Sequence, residues 1–162
     1  MMSEKRKYRS GALGALMDEY ERAAHDLKQA IMTFSQHDFE KVVDAETTDE
    51  DCRSTKTIMN HVVGAGYRYA NQIRIMLGIK PFIPEYKVDT PQEAVRAMDK
   101  VLILTANSVE GKWSLTTEEI NETLQETHWG FYNIEMMFEH AIVHILRHRR
   151  QIEKFLMQLE NK

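Results

Sequence analysis

The stretch "NIEMMFEHAIVHILRHRRQIEKFLMQL", residues 133 to 159, carries apolar side chains at Ile134, Phe138, Ala141, Ile145, Ile152, Phe155 and Leu159. These are alternating steps of four and three, the spacing of an amphipathic helix that buries one stripe. One place in the seam, between Ile145 and Ile152, has no aliphatic residue, and the position that completes the rhythm is His148. Three of the chain's seven histidines, His140, His144 and His148, fall at four-residue steps on this one segment. A solvated basic face, core histidines with satisfied hydrogen bonds and a metal site all explain such a row. The rest of the sequence has to decide.

At about 100° per residue, His144 lies roughly 40° from His148, and His140 a further 40° toward solvent. His148 therefore points inward, His144 sits on the inner flank, and His140 is nearest the periphery. Side chains four apart are neighbours and can share an ion. His140 and His148 are about 12 Å apart along the axis, too far to bind one ion together without distortion. His144 and His148 are thus the better pair, and a third ligand has to come from another element. In "TKTIMNHVVGAGYRYANQIR", His61 flanks the seam made by Ile58, Met59, Val62, Gly66, Tyr69 and Ile73. His25 on the first helical segment is the alternative, and His37 and His128 lie in connections.

Three further segments share the helical rhythm. The first, roughly Ser10 to Phe34, places Leu13, Leu16, Met17, Tyr20, Ala24, Leu27, Ile31 and Phe34 on one face. A polar connection follows, with "FEKVV" readable as a short extended piece. Ser54 is a plausible N-cap for a second helix to about Leu77, where Gly78 suits the C-terminal cap and Pro81 blocks continuation. After the loop "IKPFIPEYKVDT", the Thr90, Pro91 and Glu93 signature opens a third helix to about Val109. Between Gly111 and Tyr132 the pattern is irregular, with a short helix at "LTTEEINE" and a turn at "THWGF". The expected fold is all-α, a four-helix bundle in which the first and third connections are long. The expected organisation is a single domain over residues 1–162.

Length and composition agree with this. A chain of 162 residues, 43% hydrophobic and 28% charged, has the balance of one globular domain. A net charge of -4 opposes a nucleic-acid or anionic-membrane surface, and the basic clusters at 5 to 9 and 147 to 150 are too short to reverse it. Cys52 is the only cysteine, which excludes an intrachain disulfide and a cysteine-based metal cluster. In the first connection it reads as a bystander, not a nucleophile. The N-terminal stretch shows no apolar run of the secretory kind, and the longest apolar run, "VLILTA", is too short for a membrane span. A cytoplasmic location is the expectation. The methionines, Met136 and Met137 included, read as adaptable core filler, and Trp113 and Trp129 as core or pocket-wall residues.

The segments "NHVVGAGYRYANQIRIMLG" and "HAIVHILRHRRQI", with "HWGFYNIEMMFEH" leading into the second, resemble the DinB-like (DinB/YfiT-like) superfamily. The late family motif commonly reads H-x-x-x-H-x-x-x-H-R-G-Q. The resemblance covers nearly the whole chain in helix order and length, although only the histidine motifs are specific. It implies a four-helix bundle, often homodimeric, that binds a divalent metal through three histidines. Carried over by position, these are His61, His144 and His148. His140 matches a family histidine that is not usually a ligand, and Gln151 matches the family glutamine. Arg150 stands where the family usually has glycine, on a face turned away from the site.

Imidazole ligands favour zinc or nickel and leave a position open for water or a thiolate. The reading that follows is a metal-dependent enzyme acting on a small molecule by thiol transfer or hydrolysis. The alternative is a non-catalytic bundle that binds a metal or small ligand. A DNA-acting factor, a third reading, is opposed by the negative charge. No general base stands out, since Glu139 faces elsewhere. Arg68, two turns beyond His61 on the same face, and Tyr69 are candidates to orient an anionic substrate, although packing or surface roles are commoner for such residues.

Overall fold

The computed structural model describes residues 7–161. The start of the basic cluster at 5 to 9, and the first six residues of the N-terminal stretch read above for a leader, lie outside the described residues. The chain is mostly helical and all-α. Four long helices, α1 (Gly11–Met32), α3 (Thr55–Met76), α4 (Pro91–Ser108) and α6 (Ile134–Glu160), are joined by two short ones, α2 (Gln36–Glu40) and α5 (Thr117–Glu122). A 3-10 turn at Glu50–Cys52 and a small hairpin, β1 (Gln125–Thr127) with β2 (Gly130–Tyr132), complete the elements. No helix among the described residues is long and apolar enough to cross a membrane.

Each long helix packs on two others: α1 on α6 and α4, and α3 on α4 and α6. The enclosed core takes Leu13, Met17, Tyr20 and Leu27 from α1, and Ile58, Met59 and Ile73 from α3. It takes Met98 and Val101 from α4, and Ile134, Met137, Phe138 and Ile145 from α6. Each side chain comes from the helical stripe of its segment, so hydrophobic burial and helix formation select the same faces. Met137 fills the core, whereas Met136 is 39% exposed and corrects the expectation that both are filler. Gly66 lets α3 approach α4 closely, because a Cβ there would stand 2.6 Å from Val101 Cγ1.

The helix starts are set by side chains. Ser54 accepts from the Thr57 backbone N–H while Thr57 Oγ1 accepts from the Ser54 backbone N–H, a reciprocal cap. Thr90 caps α4 through the Glu93 N–H, and Asn133 caps α6 through the Met136 N–H. At the far end of α3, Gly78 takes φ +70, which favours glycine over residues with a Cβ.

One local expectation is corrected and another is extended. Residues 39–43 form no strand: Ser35 caps α2 by accepting from the Asp38 N–H, so Phe39 falls within a helical turn and is buried. The "THWGF" stretch is more than a turn. It is the centre of an antiparallel hairpin that pairs Gln125 with Tyr132 and Thr127 with Gly130.

Candidate metal centre

Helices α3 and α6 run antiparallel across the site. The His61 ring lies 5.0 Å from His144 and 5.1 Å from His148, while Tyr69, two turns later on α3, meets His144 at 5.5 Å and His140 at 5.1 Å. His61, His144 and His148 each offer a ring nitrogen, and these atoms all lie within 4.8 Å of one another. His61 Nε2 and His144 Nε2 are 3.0 Å apart. Nitrogen ligands at about 2.0–2.1 Å from a tetrahedral ion would sit ~3.3 Å apart, so little movement separates the two spacings.

The outer nitrogens of two rings are held from behind. The Asp51 carboxylate can only accept, so at 3.1 Å it takes the Nδ1–H of His61 and leaves Nε2 as the electron-pair donor. Gln151 Oε1 does the same for His148 Nδ1 at 3.2 Å. Fixing the tautomer in this way is what a metal-binding imidazole needs. Asp51 reaches His61 because Asp49 caps the 3-10 turn, accepting from the Asp51 N–H, and the turn packs on α3.

The electrostatics also favour neutral rings. Burial, then the neighbouring His148 and His61, push the His144 pKa down from 6.5 to about 3. Burial likewise lowers His148, partly opposed by its hydrogen bond to Gln151. His144 and His148 are only 9% and 6% exposed, deep enough for desolvation to outweigh hydration of a charged ring. With the outer nitrogens of His61 and His148 anchored and protonation of His144 and His148 suppressed, the donor set fits a metal ion, and these three histidines could hold one.

His140 stands outside the cluster. Its Nδ1 lies 3.0 Å from the Tyr132 hydroxyl, and its ring packs against Tyr69 and Trp129 at 5.1 and 5.6 Å. His25 borders a different groove beside Glu21 and Lys28, and the exposed His37 lies on α2. His128 sits at the hairpin tip next to Trp129, with the two rings 5.6 Å apart. Glu139 and Arg150 are exposed, and neither lines the histidine cavity.

The histidines open into a cavity of about 540 Å³. Its wall includes Cys52, Arg68, Tyr69, Trp129 and Arg147. The first connection folds back onto the site, so Cys52 is not isolated: its Sγ donates to Asp49 Oδ2 at 3.3 Å and also bonds Gln151. Burial holds the Cys52 thiol above its ordinary pKa, so its position is that of a wall residue and not of an activated thiolate. Sequence reasoning missed Asp51 and the placing of Cys52. Helical periodicity carries no signal for residues delivered by a folded connection. No family model, curated protein or solved structure matches this chain.

Proposed function

We propose that the chain is a DinB-like four-helix bundle in which His61, His144 and His148 hold one divalent metal ion, zinc or nickel, and that it acts on a small molecule by thiol transfer or hydrolysis. One observation carries the reading: three imidazoles converge, and an outer acceptor fixes the donor nitrogen on two of them. When bound, the ion supplies a Lewis-acidic centre with at least one position the protein leaves free. The protein's own groups hold and shield that centre. Asp51 and Gln151 keep His61 and His148 in the ligating tautomer. The ring of Tyr69, packed on Trp129 at 5.1 Å, walls one side of the cavity. Arg68 and Arg147 bring positive charge to the cavity wall, so a substrate with an anionic or thiolate group is favoured there.

A second reading, a non-catalytic metal or ligand carrier, draws on the carboxylates. Asp49 is the one carboxylate lining the cavity among the described residues, and it already accepts from Cys52 and from the Asp51 N–H. Asp51 is engaged by His61. Neither is poised as a free general base.

Elemental analysis of purified protein tests the ligand set. His148→Ala should lose most of the metal, because it deletes the most buried of the three rings. His140→Ala should retain it. Full metal in the first variant, or loss confined to the second, would show the assignment to be wrong. Thiol-transfer and hydrolase screens with and without chelator then separate enzyme from carrier. A homodimer is part of the same proposal, and light scattering that stays at 19.0 kDa over a wide concentration range would remove it.

A further inference from the structure

The histidine cavity does not end at Trp129. A second groove of about 460 Å³ adjoins it, and Arg68 and Trp129 line both. Helix α3 presents His61, Arg68 and Ile75 at seven-residue steps, which keeps them on one face at intervals of ~10 Å. The chemistry changes along that face, from imidazole to guanidinium to hydrocarbon.

At the middle position, two cations stand without neutralisation. Arg68 and Arg147 are exposed, and neither forms an ion pair among the described residues. Arg68 leans toward the N-terminus of α3, as helical side chains do. Its Nη1 lies 3.6 Å from where a Cβ on Gly64 would stand, about one turn from His61. Arg147 comes from α6, and its charge acts on Tyr69 together with that of Arg68, against the burial that raises the phenol pKa. Two guanidinium forks at a concave wall are suited to an oxyanion.

At the outer position, Ile75, Phe82 and Ile83 are 46%, 57% and 60% exposed. Such a cluster of large apolar side chains is unusual on an uncovered surface. The loop that carries Phe82 is pinned to α3, because its backbone N–H donates to Asn71 Oδ1 at 2.7 Å. The groove wall is therefore held in place.

We propose that cavity and groove form one elongated site for a small amphipathic anion, with its oxyanion head between Arg68 and Arg147 and its apolar chain or ring against Trp129, Ile75 and Phe82. The inference deepens the proposed function and rests on its reading of the histidine cavity as a ligand site. It names the substrate class: a carboxylate, phosphate or sulfonate joined to a hydrocarbon body. The unpaired charge explains why the head must be anionic. The exposed hydrocarbon at the other end explains why a small hydrophilic anion would leave the site half used.

Isothermal titration of the full chain, stripped with chelator, with sodium butyrate, hexanoate and octanoate and with 1-octanol tests this. Affinity should rise about fourfold per methylene from butyrate to octanoate, and octanoate should bind at least tenfold more tightly than octanol. Arg68→Met should weaken octanoate tenfold or more and leave octanol unchanged. Phe82→Ser should flatten the chain-length series. Both positions are exposed, and circular dichroism checks that each variant is folded. Equal affinity for octanoate and octanol, no dependence on chain length, or wild-type octanoate binding by folded Arg68→Met would each overturn the proposal. So would octanoate heats that vanish as the chain self-associates in light scattering, which would assign the groove to a second copy. Metal content is read separately. Metal-free wild type with the expected octanoate series removes the metal reading and keeps this one, while bound metal with no octanoate binding does the reverse.

Discussion

Asp51 is the residue that fixes which ring nitrogen of His61 carries the proton. It is 62% exposed on the 3-10 turn, yet its carboxylate meets Nδ1 of a ring whose other nitrogen faces His144. Asp51→Asn keeps the shape of the side chain but weakens acceptance from Nδ1–H and permits the wrong tautomer. Metal affinity should fall about 10–100-fold, measured by competition with a chelating dye, while thermal stability of the metal-free chain stays near that of the wild type. Unchanged affinity would mean that the contact has no part in binding. At this scale the sequence exposed the three histidines, and the resemblance named Gln151, but the support of His61 stayed hidden. His148 was visible because it interrupts an aliphatic seam, and His144 because it lies one turn away. Asp51 and Cys52 sit in a polar stretch with no period, and only the turns within 41–54, closed by Arg53 O accepting from the Val43 and Asp44 N–H groups, bring them to the site.

Among the elements, α3 combines two demands. One face carries His61 and Arg68 to the cavity, while Gly66 brings the helix against Val101 of α4. A methyl group at Gly66 would have to push the two helices apart, since Val101 Cγ1 lies 2.6 Å from its position. Gly66→Ala should therefore cost about 1–3 kcal/mol, despite the better helix propensity of alanine. Denaturant unfolding of the variant checks this, and a midpoint equal to or above that of the wild type would refute it. The long helices were legible because burial and local propensity agree along them, from the caps at Ser54, Thr90 and Asn133 to the glycine at 78. The hairpin was not legible. Its strands are three residues each, too short to show alternation, and Gly130 at φ +113 is the one strong turn signal in its reversal. Yet that hairpin sets Trp129 between the two cavities.

For the whole molecule, the histidine cluster links the site to the stability of the fold. In the unfolded chain the imidazoles titrate near 6.5, whereas burial lowers His144 to about 3 in the folded chain and depresses His148 and His140 as well. Above about pH 7 these rings are neutral in both states and contribute no slope. Below 6.5 the unfolded chain binds protons that the folded chain refuses, so stability must fall as pH drops from 6.5 toward 3. The resolved carboxylate shift, at Asp89, moves downward from 3.8 and so also lowers stability as pH falls. Chelator-treated protein should thus have a lower urea midpoint at pH 5 than at pH 7.5, with little change between 7.5 and 8.5. His144→Phe, which removes the most strongly shifted ring, should make the curve shallower between pH 7.5 and 5. Saturating metal should raise the midpoint at pH 7.5 by more than at pH 5, because protons and metal compete for the same nitrogens. A metal-free chain equally stable at pH 5 and 7.5 would mean that these rings protonate in place, and that the cavity is wetter than its burial implies.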